Sequence, residues 1–162
     1  MPVTATRKTN LIEHVTIESG KPFDEARAAL EGAVPPLDQK MWEFVRAGDA
    51  DGLKKQLDAG PELSILSSRD HGALLQVAGP PRRAMQYDIG NPLTATKMTR
   101  HVLAAGLYAP IRVILYEAED GRTRFEYDRP LSTFGQFGDE AVTAVATALD
   151  AALERTLRDA AA

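Results

Sequence analysis

Residues 90–130 read GNPLTATKMTRHVLAAGLYAPIRVILYEAEDGRTRFEYDRP, and the folding of this run decides the architecture. Asn91 is a helix cap, because its side-chain oxygen can accept from the free backbone N–H groups of a first turn. Pro92 follows at the first helical position, where its missing N–H costs nothing. Leu93 to Met98 then makes a short helix. Ala109 to Glu117 alternates, with Ile111, Val113 and Leu115 on one face and Arg112, Ile114 and Tyr116 on the other. Arg122 to Asp128 alternates too, with Thr123, Phe125 and Tyr127 set against Arg122, Arg124, Glu126 and Asp128. Asp120-Gly121 between the two runs is a hairpin signal, so the spacing predicts an antiparallel pair.

Outward from this core, Leu11–Ser19 alternates as a strand, with Leu11, Val15 and Ile17 against His14, Thr16 and Glu18. Phe23, Ala26, Leu30 and Val34 recur at helical spacing, and Pro35-Pro36 stops that helix. Two short helices follow. Leu37–Ala47 carries the stripe Met41, Phe44 and Val45. Asp51–Ala59 carries Leu53 and Leu57 and has Asp49 as its cap. Glu62–Ser68 is a weaker strand and Arg83–Ile89 a stronger one. Pro130–Gly138 reads as a loop. Asp139 starts the longest helix, whose stripe is Val142, Val145, Leu149, Leu153 and Leu157, with Glu140, Thr143, Asp150, Glu154 and Arg158 on the other face. The polar residues 1–10 and the alanine-rich tail are expected to fray, which leaves 11–158 as one domain.

The run Gly90-Asn91-Pro92-Leu93, followed by Gly106-Leu107-Tyr108-Ala109-Pro110 and IRVILYEAEDG, resembles the DUF302 family of bacterial and archaeal proteins. The resemblance extends over most of the chain, since the first strand, its helix and the last helix fit the same order. It implies an α+β, TBP-like antiparallel sheet of the order β-α-β4-α, with helices on one face. It implies no settled activity and no agreed catalytic residues. The helical hairpin near 38–60 is an insertion relative to the short family form.

The chain has 162 residues, 19 basic and 23 acidic, for a net charge of −4. One domain of this length buries roughly two thirds of its unfolded surface without staples. Nucleic-acid binders carry a basic excess or basic clusters; here only Arg82-Arg83 is such a cluster, and no nucleic-acid partner is expected. With no cysteine, thiol catalysis, disulfides and iron–sulfur ligation are excluded. The first ten residues lack an apolar run, so neither a signal peptide nor a membrane segment is expected, and the expected location is cytoplasmic.

If helices cover one sheet face, parity places His14, Thr16, Gln86, Asp88, Arg112, Tyr116, Arg124, Glu126 and Asp128 on the other. That face is either a solvated surface laced with cross-strand ion pairs or a polar dimer interface or ligand floor. Candidate ligand contacts are His14, Gln86, Asn91, Arg100, His101, Tyr108, Arg112, Tyr116 and Arg124. His14, His71 and His101 could together hold zinc or, singly, haem iron, although none has a metal-ligand spacing. The plainer roles are a helix start beside Asp70 for His71 and a dipole-favoured cation at a helix end for Arg100-His101. The Gly90-Asn91 helix start could hold an anion, unless Asn91 uses those donors itself. Ser132, His101 and Asp128 are a trio that any chain this long offers by chance. Glu126 and Asp128 lie roughly 7 Å apart along one strand face, which suits paired carboxylates or salt bridges with Arg124 and Arg129. No cofactor is expected. The function these residues suggest is a module that binds a small molecule or a partner protein as a homodimer, the alternative being a metal or haem carrier or an enzyme built on the histidines.

Overall fold

A computed structural model describes all 162 residues. Five strands form one antiparallel sheet: β1 (His14–Glu18), β2 (Ser64–Asp70), β3 (Ala84–Gly90), β4 (Ile111–Glu117) and β5 (Thr123–Asp128), in the spatial order β1-β5-β4-β3-β2. The class is α+β. The central pair forms in the expected register, with Val113 opposite Tyr127 and Leu115 opposite Phe125. Its connection turns at Gly121, whose φ of 78° is a left-handed value that favours glycine. Gly121 N–H donates to Ala118 O, and Ala118 N–H donates to Arg122 O. β1 is shorter than the alternation predicts. Leu11 lies outside the strand and is exposed: the last backbone bond on that side is Arg129 N to Glu13 O at 2.8 Å, beyond which the chain turns away at Pro130.

The helices are α1 (Phe23–Ala33), α2 (Met41–Ala47), α3 (Ala50–Asp58), α4 (His71–Leu74), α5 (Pro92–Thr99), α6 (Pro130–Phe134) and α7 (Glu140–Ala161). α1 packs on β4 and α7, and α7 also packs on β1, α5 and α6. The greasy sheet face lies beneath them. Ile17, Tyr87, Ile89, Val113, Leu115 and Phe125 meet Ala26, Leu30, Leu149, Leu153 and Leu157 in one buried cluster. Each such aliphatic or aromatic side chain contributes about 1.5–3 kcal/mol by leaving water.

The caps follow local chemistry. Asn91 Oδ1 accepts from Leu93 N at 2.8 Å and from Thr94 N at 3.2 Å. Asp49, Asp70 and Asp139 accept from Gly52 N, Ala73 N and Val142 N respectively. The α2–α3 hairpin keeps its ends near the sheet through paired hydrogen bonds, Leu37 N to Ile65 O at 2.9 Å and Ile65 N to Pro35 O at 3.0 Å.

Four local readings are corrected. Pro130–Phe137 is the helix α6 plus a 3-10 turn rather than a loop, and it forms because Phe134 inserts fully into the core. The C-terminal tail does not fray: α7 runs to Ala161, whose carbonyl accepts from Gly20 N at 2.9 Å and from Ser19 Oγ at 3.0 Å. Asp150, placed by the pattern on the exposed face of α7, is only 7% exposed because Arg129 reaches over it. In α2 the stripe is narrower than expected: Met41 is buried, whereas Val45 faces solvent.

Candidate functional site

Two regions concentrate functional side chains: the open sheet face and an apolar cavity beneath α2. On the open face His14 sits between two carboxylates. Its Nδ1 is 3.0 Å from Asp128 Oδ1 and its Nε2 is 3.1 Å from Glu126 Oε2. Ionised carboxylates only accept, so both contacts are hydrogen bonds at once only when the ring is protonated and both nitrogens donate. The hydrogen bond to Asp128, then that to Glu126, raises the His14 pKa above the ordinary histidine value. Tyr116 Oη donates to the other Glu126 oxygen at 2.6 Å, which raises the tyrosine pKa. Burial pushes Glu126 up, but hydrogen bonds from Tyr116 and His14 outweigh it and leave its pKa lowered. The carboxylates Glu126 and Asp128 therefore clamp the His14 ring and favour its protonated form, a role the sequence reading did not give them.

The remaining polar residues of this face follow the sheet register. Arg124 pairs with Asp120 at 2.5 Å and with Glu18 at 3.4 Å. Gln86 Oε1 accepts from His71 Nε2 at 3.0 Å and from Arg69 at 3.3 Å. Asp88 takes Ser67 Oγ at 2.5 Å and Arg69 at 3.0 Å. Arg112 stands opposite Asp88 in the β3–β4 ladder but makes no hydrogen bond or ion pair. The face thus brings together His14, Tyr116, Arg124, Arg112 and Gln86 from the candidate set.

The other candidates lie apart. Asn91 caps α5, and its Nδ2 donates to Pro61 O at 3.0 Å, so both ends of its amide are engaged. Arg100 and His101 follow the far end of α5. Tyr108 packs edge-on against Phe134 and Phe137, with centroids 6.2 and 6.0 Å apart. The three histidines sit on β1, at the start of α4 and after α5, and no three histidine or carboxylate side chains gather as a metal site. Ser132 Oγ donates to Arg129 O and does not meet His101 or Asp128, which removes that trio. Arg83 pairs with Asp24 at 2.6 Å and lies over the Phe23 ring.

The cavity was not foreseen, because its walls come from segments far apart in sequence. It holds about 180 Å³ and is lined by sixteen residues, eleven of them hydrophobic, including Met41, Trp42, Ile89, Met98, Phe134 and Leu149. No charged side chain lines it, and its polar side-chain groups are those of Asn91 and Thr94 and the Trp42 indole N–H. Trp42, the sole tryptophan, is half exposed at its rim. The available signal was Trp42 itself, an aromatic flanking a helical stripe instead of joining it.

Comparison with known proteins places the chain in a family. The model described as "Domain of unknown function DUF302" matches residues 50–160. A solved structure, an uncharacterized conserved DUF302 protein from Bacillus stearothermophilus, is similar in fold with a TM-score of 0.66 and 18% identity, over 91% of this chain and 97% of that one. No curated protein matches this chain. No helix is long and apolar enough to cross a membrane. The match covers more than half of the chain, from α3 to the end of α7, and the chain belongs to the DUF302 family.

Proposed function

We propose that this protein is a non-enzymatic module that binds one small, neutral, apolar molecule in the cavity beneath α2 and works as a homodimer. The observation that carries the first part is the cavity lining. A cavity of ~150 Å³ is large enough for benzene, so 180 Å³ accommodates one aromatic ring or a short branched chain. Burying an ion without a partner is costly, and no lining residue can neutralise one. Asn91 is already committed to the α5 cap, which leaves the Thr94 hydroxyl and the Trp42 indole N–H as the free polar side-chain groups of the lining.

Support for the homodimer comes from Leu74, Leu75 and Val77, which stand together on α4 and the 3-10 turn after it. Leu74 is 65% and Val77 94% exposed. Three exposed apolar side chains within four positions support an interaction surface here, and a second copy would cover them.

Filling the cavity tests the binding part. Ala95 lines it from α5, so toluene should shift the NMR signals of cavity-lining methyl groups in the parent, and Ala95→Leu should keep the fold and abolish those shifts. Toluene shifts of equal size in both proteins would refute the site. Light scattering tests the other part: the parent should have twice the chain mass and Val77→Asp the single mass. A strictly monomeric parent removes the dimer and leaves the pocket reading intact.

A further inference from the structure

One arginine of the open face, Arg112, makes no ion pair. Along a single cross-strand row lie Ser67, Asp88 and Arg112, with Asp128 and His14 continuing it on β5 and β1. Asp88 is matched by Arg69 at 3.0 Å, and Asp128 by His14 at 3.0 Å. The Asp88–Arg69 pair is neutral as a unit, whereas His14 is shared by Asp128 and Glu126, so that triad keeps one negative charge even with the ring protonated. Arg112 lies between them with no carboxylate of its own, although Asp88 is its direct ladder partner. Arg69 and Arg124, the other two arginines within the strands, are both paired.

Arg112 borders a second cavity of about 100 Å³, whose other walls include Ile12, Leu107, Tyr108, Pro110 and Asp128. The Tyr108 ring is held between Phe134 and Phe137, and its hydroxyl has no hydrogen-bond partner within the chain. A free guanidinium and a free phenol therefore share one small depression with an apolar wall. A guanidinium is a planar fork that takes a carboxylate through two parallel N–H donors.

We infer that this depression is a binding site for a small aliphatic monocarboxylate. The carboxylate lies against the Arg112 fork, with the Tyr108 hydroxyl donating to one oxygen, and the alkyl end lies on Ile12, Leu107 and Pro110. Charge selects the class. The single Arg112 charge can balance one anionic charge, and the Asp128 carboxylate on the same wall opposes a second, which disfavours a phosphate dianion. Size selects within the class: water's share of liquid volume is ~30 Å³, so the space holds about three waters, or an acid of the size of acetate to butyrate. This site is separate from the apolar cavity, although Pro110 and Ile111 border both.

The test is a set of ¹H–¹⁵N NMR titrations of the full chain at low salt, where screening of an exposed cation is weakest. Propionate should shift the Leu107, Tyr108 and Arg112 amides saturably, with a Kd of roughly 1–10 mM, the range open to so small a ligand. Propionamide, equal in shape but uncharged, and inorganic phosphate should each bind at least tenfold more weakly. Arg112→Gln should weaken propionate at least tenfold with the remaining spectrum unchanged, and Arg112→Lys should fall between. Absence of saturable shifts, propionamide binding as tightly as propionate, or full retention in Arg112→Gln would each overturn the site. Ala95→Leu should leave propionate binding unaltered, so failure here and failure of the apolar-cavity reading are separately visible.

Discussion

Arg129 and Asp150 form an ion pair, Nε to Oδ2 at 2.5 Å, that joins the end of β5 to the middle of α7. The carboxylate is buried, and its second oxygen, Oδ1, has no partner at all. Arg129 also reaches Glu13 at 2.8 Å, so one guanidinium ties the segment before β1, the strand β5 and the last helix together. Breaking a fully buried pair costs about 3–5 kcal/mol, and the partial exposure of Arg129 reduces that here. Asp150→Ala should therefore lower stability by about 1–2 kcal/mol, read from urea midpoints at an unchanged slope. A loss below about 0.5 kcal/mol, the level of an ordinary surface change, would mean that the bridge does not hold α7.

Gly72 is the tightest glycine in the chain. A Cβ there would meet Arg82 O at 1.8 Å and Ala84 N at 2.7 Å, both backbone atoms with no freedom to swing aside. Gly72 O also accepts from Arg82 N at 3.2 Å, so α4 is fastened to the entry of β3. Gly72→Ala should cost about 1–3 kcal/mol as overpacking and should speed amide exchange across the β2–β3 ladder. A parent-like melting temperature would show that the α4 turn can shift without cost.

The clamp on His14 gives a pH dependence of defined sign. Its folded pKa is raised by Asp128 and Glu126, so its contribution is full below the ordinary imidazole value of about 6.5 and is lost as pH rises through the folded value. Glu126 runs the other way: its lowered pKa contributes stability above the ordinary carboxylate value of 4.5, lost as pH falls through the folded value. Both effects are small, under ~1 kcal/mol, because the His14 side chain is 55% exposed and solvent screens it. NMR titration of the His14 ring should give a pKa above 6.5, and Glu126→Gln should lower it. A value at or below that of a free imidazole would contradict the clamp.

Much of the fold was legible because it rests on local chemistry. Asn91-Pro92 sets a helix start through two neighbouring amides, and Asp120-Gly121 reverses the chain within five residues. Alternation in β3, β4 and β5 assigned their faces correctly, since one face of the sheet is dry. What stayed hidden depends on partners distant in sequence. Asp150 reads as a surface residue until Arg129, 21 positions away, is seen to cover it. The irregular register between Ile65 and Ser67 in β2 shows only in its pairing with β3.

The same division holds for the functional residues. Parity placed His14, Gln86, Arg112, Tyr116 and Arg124 on one face, yet it could not say which carboxylate each cation meets. Once Asp88 is seen to take Arg69, the isolation of Arg112 follows. The apolar cavity draws on α2, β3, α5, α6 and α7, and no periodicity within one segment signals such a space.

The apolar cavity is the centre of this account, and Trp42 at its rim is the chain's own reporter. Titration of the full-length protein with toluene and, separately, with benzoate should change Trp42 emission saturably for the neutral ring alone, with benzoate at least tenfold weaker. Equal responses to both molecules, or none to toluene, would contradict a neutral-ligand pocket beneath α2.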